Sequence, residues 1–453
     1  MNTLLILFED HTSQQFRPLT WSRPAYEIPC GMFNLRERAT LAASDCCDLA
    51  LLPISNLEPL QKQSGLDGIH IGFESCLNQL SNYQKIIFMT ARYAGNVSKI
   101  AEVINSESAV QSDDKGLVLA VVDTAQAAEI LNSWKTWDGT ACEDESRVSA
   151  TKPSAVWNPS CESAPSAQPV WNYLWDMVHD IGSKITSDLD SMRDTIERNY
   201  FGLQTSDGNN WSWNFKTKLT VIETEQYSAV NTVNPENIFS ANSVAISPGV
   251  VLDASAGPII IDNDVTIMAN AFLEGPLYIG PGSTIKAGST IYGETAIGAE
   301  CKVGGEVAES QFCAYSNKQH DGFIGHAVIG SWCNLGAGTN CSDLSNNYSL
   351  LKANYGHGPV ATQSCFVGLM IGDHAKSAIG TQFNTATTVG FSSNIFSAGF
   401  PRTCLSNYCW GDGRLRKSYN VDKAIAVAEI VMARRNCKML DEHKKLFTEL
   451  DCS

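Results

Sequence analysis

Ile261, Ile267, Leu273, Ile279, Ile285, Ile291, Ile297 and Val303 are eight aliphatic residues spaced six apart without a miss. At a hydrophobic frequency of 43%, eight successive hits at a preset phase have a chance probability of about 0.1%. A period of six fits neither an α-helix nor a simple alternating strand. It fits a triangular solenoid in which each six-residue side ends at a corner. Ser283, Ser289, Thr295 and Cys301 fall four positions after their aliphatic partners, and Gly280 and Gly298 follow immediately. Small residues suit the places where the backbone turns. Stacked coils then pair in parallel at a strand spacing of about 4.8 Å. The pattern resumes at Phe323, Ile329 and Leu335, and again at Phe383, Val389 and Ile395, with residues 342–363 reading as an external loop. The second half of the chain, from about Asn237 to Tyr408, is therefore expected to be a left-handed parallel β-helix of hexapeptide repeats.

The first 130 residues have another rhythm. Leu4–Phe8, Leu49–Pro53, Lys85–Met89 and Leu117–Val122 are short apolar runs of strand length, separated by helical stretches that include Met32–Ala43 and Asn96–Asn105. Alternating strand and helix imply a mostly parallel sheet of Rossmann-like α/β type. From 133 to 169 the composition shifts to Ser, Ala, Pro, acids and isolated Trp, which reads as an insertion. Trp171, Leu174, Trp175, Val178, Ile181, Ile185 and Leu189 then recur at three- and four-residue steps, predicting a linking helix over 170–199. Val421–Leu450 reads as a terminal helix. The boundaries are an α/β domain over 1–225, a β-helix over 226–415 and a C-terminal helix over 416–453.

A net charge of −16 with no Lys/Arg-rich block argues against a nucleic-acid or anionic-lipid partner. No run reaches the ~20 apolar residues of a membrane span. Leu4–Phe8 runs into Glu9-Asp10 and reads as a first strand, not a signal peptide. The fifteen cysteines show no CxxC or metal spacing, as expected of reduced thiols in a cytoplasmic protein.

The chemistry-bearing stretch of the solenoid is Asn317-Lys318-Gln319-His320-Asp321-Gly322-Phe323-Ile324-Gly325, followed by Asn334-Leu335-Gly336-Ala337-Gly338-Thr339. It resembles the acetyltransferase half of the bifunctional glucosamine-1-phosphate acetyltransferase/N-acetylglucosamine-1-phosphate uridylyltransferase family. The resemblance implies that His320 is the general base, that Lys318, Phe323, Asn334 and Tyr348 contact the sugar phosphate, and that Gly336-Ala337-Gly338 lies beside the acetyl group of acetyl-CoA. The chemistry stands on its own terms too: an amine attacking a thioester needs a base that titrates near neutrality, and imidazole is one. His374, in Ile371-Gly372-Asp373-His374, is the rival base.

In the N-terminal half, Arg17-Pro18-Leu19-Thr20-Trp21-Ser22-Arg23-Pro24 is similar to the opening of the divergent sugar nucleotidyltransferases found fused to hexapeptide β-helices. The Gly-rich phosphate loop is replaced by His11-Thr12-Ser13-Gln14-Gln15, and the strand-end run Ile87-Phe88-Met89-Thr90-Ala91-Arg92 carries no acid. The resemblance implies Arg17 and Arg23 as phosphate ligands, with Arg92 weaker, and Mg²⁺ bridging the phosphates. With no acid at the strand end, either Asp10, Glu9 or Asp123 holds the metal, Asp10 being the candidate taken forward, or this half has lost transferase activity. The implied substrates are a nucleoside triphosphate, a hexosamine 1-phosphate and acetyl-CoA, handled by a homotrimer. Two other readings are a nucleotidyltransferase whose β-helix only oligomerises or regulates it, and a non-catalytic assembly protein.

Overall fold

The computed structural model describes residues 2–43, 46–63, 66, 68–134, 168–192, 197–205, 210–214, 219–222, 229–241, 243–414 and 417–451, with backbone alone over 197–205 and 210–214. Most of the Trp-rich insertion, 135–167, lies outside them.

The N-terminal sheet contains β1 (Thr3–Phe8), β2 (Cys47–Leu52), β3 (His70–Ile71), β4 (Lys85–Thr90), β5 (Ala109–Asp113) and β6 (Gly116–Val122), in the order β3-β2-β1-β4-β6-β5. The first four are parallel; β6 runs antiparallel to β4, and β5 to β6. Strands buried on both faces need apolar residues at every position, and β1 supplies them. Leu5 and Leu7 face a layer that includes α1 (Leu35–Ala43) and α4 (Val97–Asn105). Leu4, Ile6 and Phe8 face α3 (Phe73–Gln79) and α5 (Thr124–Trp134). The four strands and two helices read from the sequence are all present.

In the β-helix each coil visits three parallel sheets in turn. Face one runs from Ile238–Ser240 to Cys404–Leu405, face two from Ala245–Ile246 to Asn394–Ile395, and face three from Asn231–Val233 to Gln382–Phe383. The hexad residues form the interior: Ile261, Ile279, Ile297, Phe312, Ile329, Ile371, Val389 and Leu405 stack in register on face one. Corner serines tie successive coils together. Ser283 Oγ donates to Gly298 O at 2.7 Å and accepts the Cys301 N–H at 2.9 Å, and Ser393 does the same for Ser406 O and Cys409.

Three sequence expectations need correction. Phe323 is not an inward residue. The side from Ile324 to Ile329 is five residues long, so a count of six back from Ile329 lands on Phe323; Ile324 fills the interior and Phe323 faces out, paired with Glu306. The linking helix is two helices, α6 (Leu174–Val178) and α7 (Ile181–Asp190), broken at His179-Asp180, and Glu197–Thr205 is a strand. The terminal helix is likewise two, α8 (Val421–Ala433) and α9 (Asp441–Asp451), separated by Cys437–Lys438, which pairs with Glu197–Thr205. The external loop over 342–363 contains a hairpin, Lys352–Asn354 with Pro359–Ala361.

The two domains share one core. The outward row of face one reads Phe239, Ile260, Tyr278, Ala296, Gln311, Val328, Met370 and Thr388. Ile260, Tyr278, Ala296, Val328 and Met370 are buried among Trp175, Met177, Val178, Ile181 and Ile185 of α6 and α7. Gln311, the polar member at the centre of the row, accepts the Gly31 N–H at 3.0 Å. Arg38 of α1 holds α7 through Asp188, at 2.8 and 2.7 Å in a fully buried pair. Arg23 crosses the seam to Asp373 at 2.5 Å, and Asp373 also accepts Ser22 Oγ and the Ser331 N–H, each at 2.7 Å.

Removing one member of a buried ion pair leaves the other charge without its partner, at a cost of about 3–5 kcal/mol. Asp373→Ala is therefore expected to lower unfolding free energy by about that amount in denaturant titration. Asp373→Asn, which still accepts the Ser331 N–H, should lose less; equal stability of wild type and Asp373→Ala would show that the seam does not rest on this pair.

Candidate functional site

In an open α/β sheet, ligands bind at the carboxyl ends of the strands where the strand order reverses. That point lies between β1 and β4, whose last residues, Phe8 and Thr90, are partners. Glu9, next in sequence, turns inward. Its carboxylate accepts the N–H groups of Ala25 (2.8 Å) and Ile54 (3.0 Å), and burial pushes it up to about 7. It pins two loops. Asp10 caps the following turn by accepting the Thr12 N–H at 2.8 Å, with its second oxygen toward Gly116.

Three cations gather at this edge. Arg17 lies 3.7 Å over the Trp21 ring and 2.7 Å from His357 Nε2. Arg92 pairs with Asp113 at 2.7 Å. Lys115, in the β5–β6 turn, donates to Gln15 (3.0 Å) and Asn172 (2.9 Å) and lies 4.8 Å over the Tyr173 ring; burial and then Arg92 lower its pKa. Arg23 is not part of this group, because its guanidinium is committed to Asp373 and Ser331 in the seam. Asp123 follows β6 at the opposite end of the sheet, since β6 is antiparallel to β4. Among the described residues no cluster of three or more His, Cys, Asp or Glu is arranged to hold a metal.

On the β-helix, His320 is exposed in the turn between Asn317–Lys318 and Phe323–Gly325, at the corner joining faces two and three. Lys318 occupies the inward slot below it. Nζ donates to Gly304 O at 2.7 Å and His320 O at 3.0 Å, and burial pushes the amine down to about 8. Gly322 (φ +110°) passes so close to Thr339 O that a Cβ would collide with it. Asn334, exposed, pairs with Asn317 on the strand leading into the same corner one coil later. The Gly336 N–H is bound to Ser377 O and Oγ, each at 3.1 Å, and Gly338 (φ +68°) turns the corner. The fold thus brings His320, Lys318, Asn334, Ala337 and Gly338 to one corner region. Phe323 lies just past it on face three, and Tyr348 stands out on the 342–366 excursion, 75% exposed.

This corner is the open one. Ala299, Tyr315, Trp332 and Phe391, at the corner between faces one and two, pack under α8 and α9. Glu294, at the corner between faces three and one, meets Gly182 of α7. His374 belongs to the covered corner: it is 6% exposed, with Trp332 and Phe447 ring centroids at 6.1 and 5.2 Å, and burial pushes its pKa well below the ordinary value. A cavity of about 100 Å³ in the seam, lined in part by Arg23, Asn34, Gln311, Asp373 and His374, shares no residue with the sheet edge or the His320 corner.

Residues 5–195 match the family model of sugar nucleotidyl transferases. Part of the chain is similar in sequence to the bifunctional GlmU proteins. It is 28% identical over 165 residues to that of Bartonella quintana (34% of this chain, 36% of that protein) and 28% identical over 180 residues to that of Methylococcus capsulatus (39% and 35%). The matched part spans about a third of the length of these relatives. The crystal structure of AntD, an N-acyltransferase from Bacillus cereus in complex with dTDP and coenzyme A, covers 47% of this chain and 97% of its own at 12% identity, with a TM-score of 0.20. The β-helix is shown by the register of its three parallel sheets. No helix among the described residues is long and apolar enough to cross a membrane.

Sequence reasoning passed over His326. It sits at a corner with φ +45°, its Nδ1 2.8 Å from Asp343 and its Nε2 2.5 Å from Glu309, stacked on Phe366 at 4.8 Å. Burial alone would lower its pKa; the hydrogen bonds to Asp343 and Glu309 outweigh it and hold the imidazolium up to about 9. The His326–Asp343 pair ties the root of the excursion to the corner. A raised histidine contributes stability that is complete below its unfolded pKa, near 6.5, and lost as pH rises through 9. Wild type should therefore lose on the order of 2 kcal/mol between pH 6.5 and 9 beyond any loss in His326→Gln, measured by denaturant titration. Parallel pH profiles for the two proteins would remove this role.

Proposed function

We propose that the chain is a bifunctional transferase of sugar-nucleotide synthesis. The carrying observation is that Arg17, Arg92 and Lys115 gather with Asp10 at the switch point of a domain of the sugar nucleotidyl transferase family. In the proposed reaction, a phosphate oxygen of a hexosamine 1-phosphate attacks the α-phosphorus of a nucleoside triphosphate. The new P–O bond forms as the bond to the β-phosphate oxygen breaks, and pyrophosphate leaves. Arg17 and Lys115 neutralise the charge that builds on the phosphates, while Arg92 acts through Asp113 to shape the turn that carries Lys115. Mg²⁺ fits this edge as an ion held mostly by substrate phosphates with Asp10 as its protein carboxylate, the usual arrangement for that metal. When bound it would add positive charge to the same oxygens.

At the open corner, the amine of an amino-sugar phosphate attacks the thioester carbonyl of acetyl-CoA. The proton passes to His320, the C–S bond breaks and the coenzyme A thiol leaves. His320 supports this reading because it is the exposed histidine of the one uncovered corner, its turn held from beneath by Lys318. Asn334 is assigned to the sugar phosphate. The assembly is proposed to be a cytoplasmic homotrimer.

Arg17→Ala should reduce Mg²⁺-dependent pyrophosphate release about 10²–10³-fold, the range for losing a group aimed at transition-state charge. Arg92→Ala should reduce it far less. A folded wild-type protein that releases no pyrophosphate from any triphosphate with a hexosamine 1-phosphate would leave this domain without the proposed activity.

His320→Ala should cost about 10²–10⁴-fold in acetyl transfer and leave pyrophosphate release unchanged, and Asn334→Ala should raise KM for the sugar phosphate. Full acetylation by His320→Ala would dismiss His320 as the base. No acetylation by wild type would make the β-helix a scaffold.

A further inference from the structure

The hairpin on the 342–366 excursion leaves the β-helix and reaches the sheet edge of the other domain. Its strands pair Lys352 with Ala361, Ala353 with Val360 and Asn354 with Pro359. Asn354 Oδ1 accepts the N–H groups of Gly356 (2.9 Å) and Gly358 (3.1 Å), which fixes the tip; both glycines have positive φ, +112° and +98°. Leu351 and Ala353 are buried in the core shared with the α/β domain, and Tyr355 and Val360 pack against it. The root is held by the His326–Asp343 pair and by the Val367 N–H on Asp343 O at 2.9 Å. Both ends of the hairpin are thus anchored, and what it presents between them is Tyr355 and His357.

These two side chains meet the cation cluster directly. His357 Nε2 is 2.7 Å from the Arg17 guanidinium. The Tyr355 ring is 5.7 Å from Tyr173, the ring over which Lys115 Nζ sits at 4.8 Å, and 5.4 Å from His357. The wall therefore runs Lys115, Tyr173, Tyr355, His357, Arg17. Cations stand at both ends with aromatic rings between them, a set that suits a ligand carrying both phosphates and a planar base. The segment after β1, which has no Gly-rich loop, does not supply such a wall by itself.

We infer that the β-helix hairpin completes the nucleotide site of the other domain, with Tyr355 stacking on the base of a nucleoside triphosphate beside Tyr173 and His357 positioning Arg17 for its phosphates. This rests on the nucleotidyl-transfer reading above. Calorimetric titration of the full chain with UTP and, separately, with inorganic tripolyphosphate tests it. Tyr355→Ala should weaken UTP binding roughly five- to hundredfold, the range for one base–aromatic stack, and leave tripolyphosphate binding as in wild type. Tyr355→Phe should bind both as wild type does, showing that the ring and not the hydroxyl is used. His357→Ala should weaken both ligands severalfold. Wild-type binding of UTP with equal binding by Tyr355→Ala overturns the inference alone, and so does a Tyr355→Ala loss that is the same for UTP and tripolyphosphate. Failure of wild type to bind either ligand overturns the nucleotidyl-transfer reading and this inference together.

Discussion

The burial of face one by the α/β domain sets the architecture. A β-helix coil satisfies its interior with inward aliphatics, and its outward rows are ordinarily free to be polar. On face one the outward row includes Ile260, Tyr278, Ala296, Val328 and Met370, all buried in the core of the neighbouring domain. Burying a large apolar side chain is worth about 1.5–3 kcal/mol, so four such residues outweigh any surface ion pair, at about 0–1 kcal/mol. The apolar ladder drives docking. A ladder with an 18-residue repeat is nearly translationally degenerate, however, and would accept its partner one coil up or down. Polar contacts that occur once break the degeneracy: Gln311 with Gly31, and Asp373 with Arg23, Ser22 and Ser331. Their net energy is modest for the charge they bury, and their specificity is what fixes the docked register.

Much of this was readable in the chain because the signals are local. The eight-hexad run has no insertions, so a fixed period finds it, and the strands of the α/β sheet are continuous apolar runs because both faces are covered. The reading failed where the coil changed length. Gly304-Gly305 turns a corner within a four-residue side, which ends the run of sixes, and the five-residue side from Ile324 to Ile329 makes a rigid period of six, counted back from Ile329, land on Phe323 when the interior holds Ile324. The inward stack also contains Lys318, between Val303 and Leu335 in face two, and no hydrophobic template anticipates a lysine there. Its burial is tolerated because two backbone carbonyls take the amine.

The candidate sites were less legible, for a different reason. Arg17 and Arg23 carry the same charge in the same motif, but only the fold shows that Arg23 meets an aspartate 350 positions away. Lys115 drew no attention because it sits in a hairpin turn with no motif around it, and it matters only because β6 returns antiparallel to β4 and brings that turn to the switch point. His326 was invisible for the same cause: Glu309 and Asp343 are each 17 residues from it, one coil away, so the contact depends on a stacking register that had already slipped.

Covering face one has a consequence for the rest of the prism. A triangular solenoid has three corners. Two border face one, and they are occupied by α8 and α9 on one side and by the linking helices on the other. The third is opposite and stays open. It carries His320, with Asn334 leading into it and Ile379 beside it at 80% exposure. A second solenoid packing alongside would have only faces two and three left to use, and those faces meet at His320. The docking that brings the hairpin to the sheet edge therefore also leaves the corner proposed for acyl transfer as the place where neighbouring β-helices would come together, so that one buried ladder bears on both proposed chemistries.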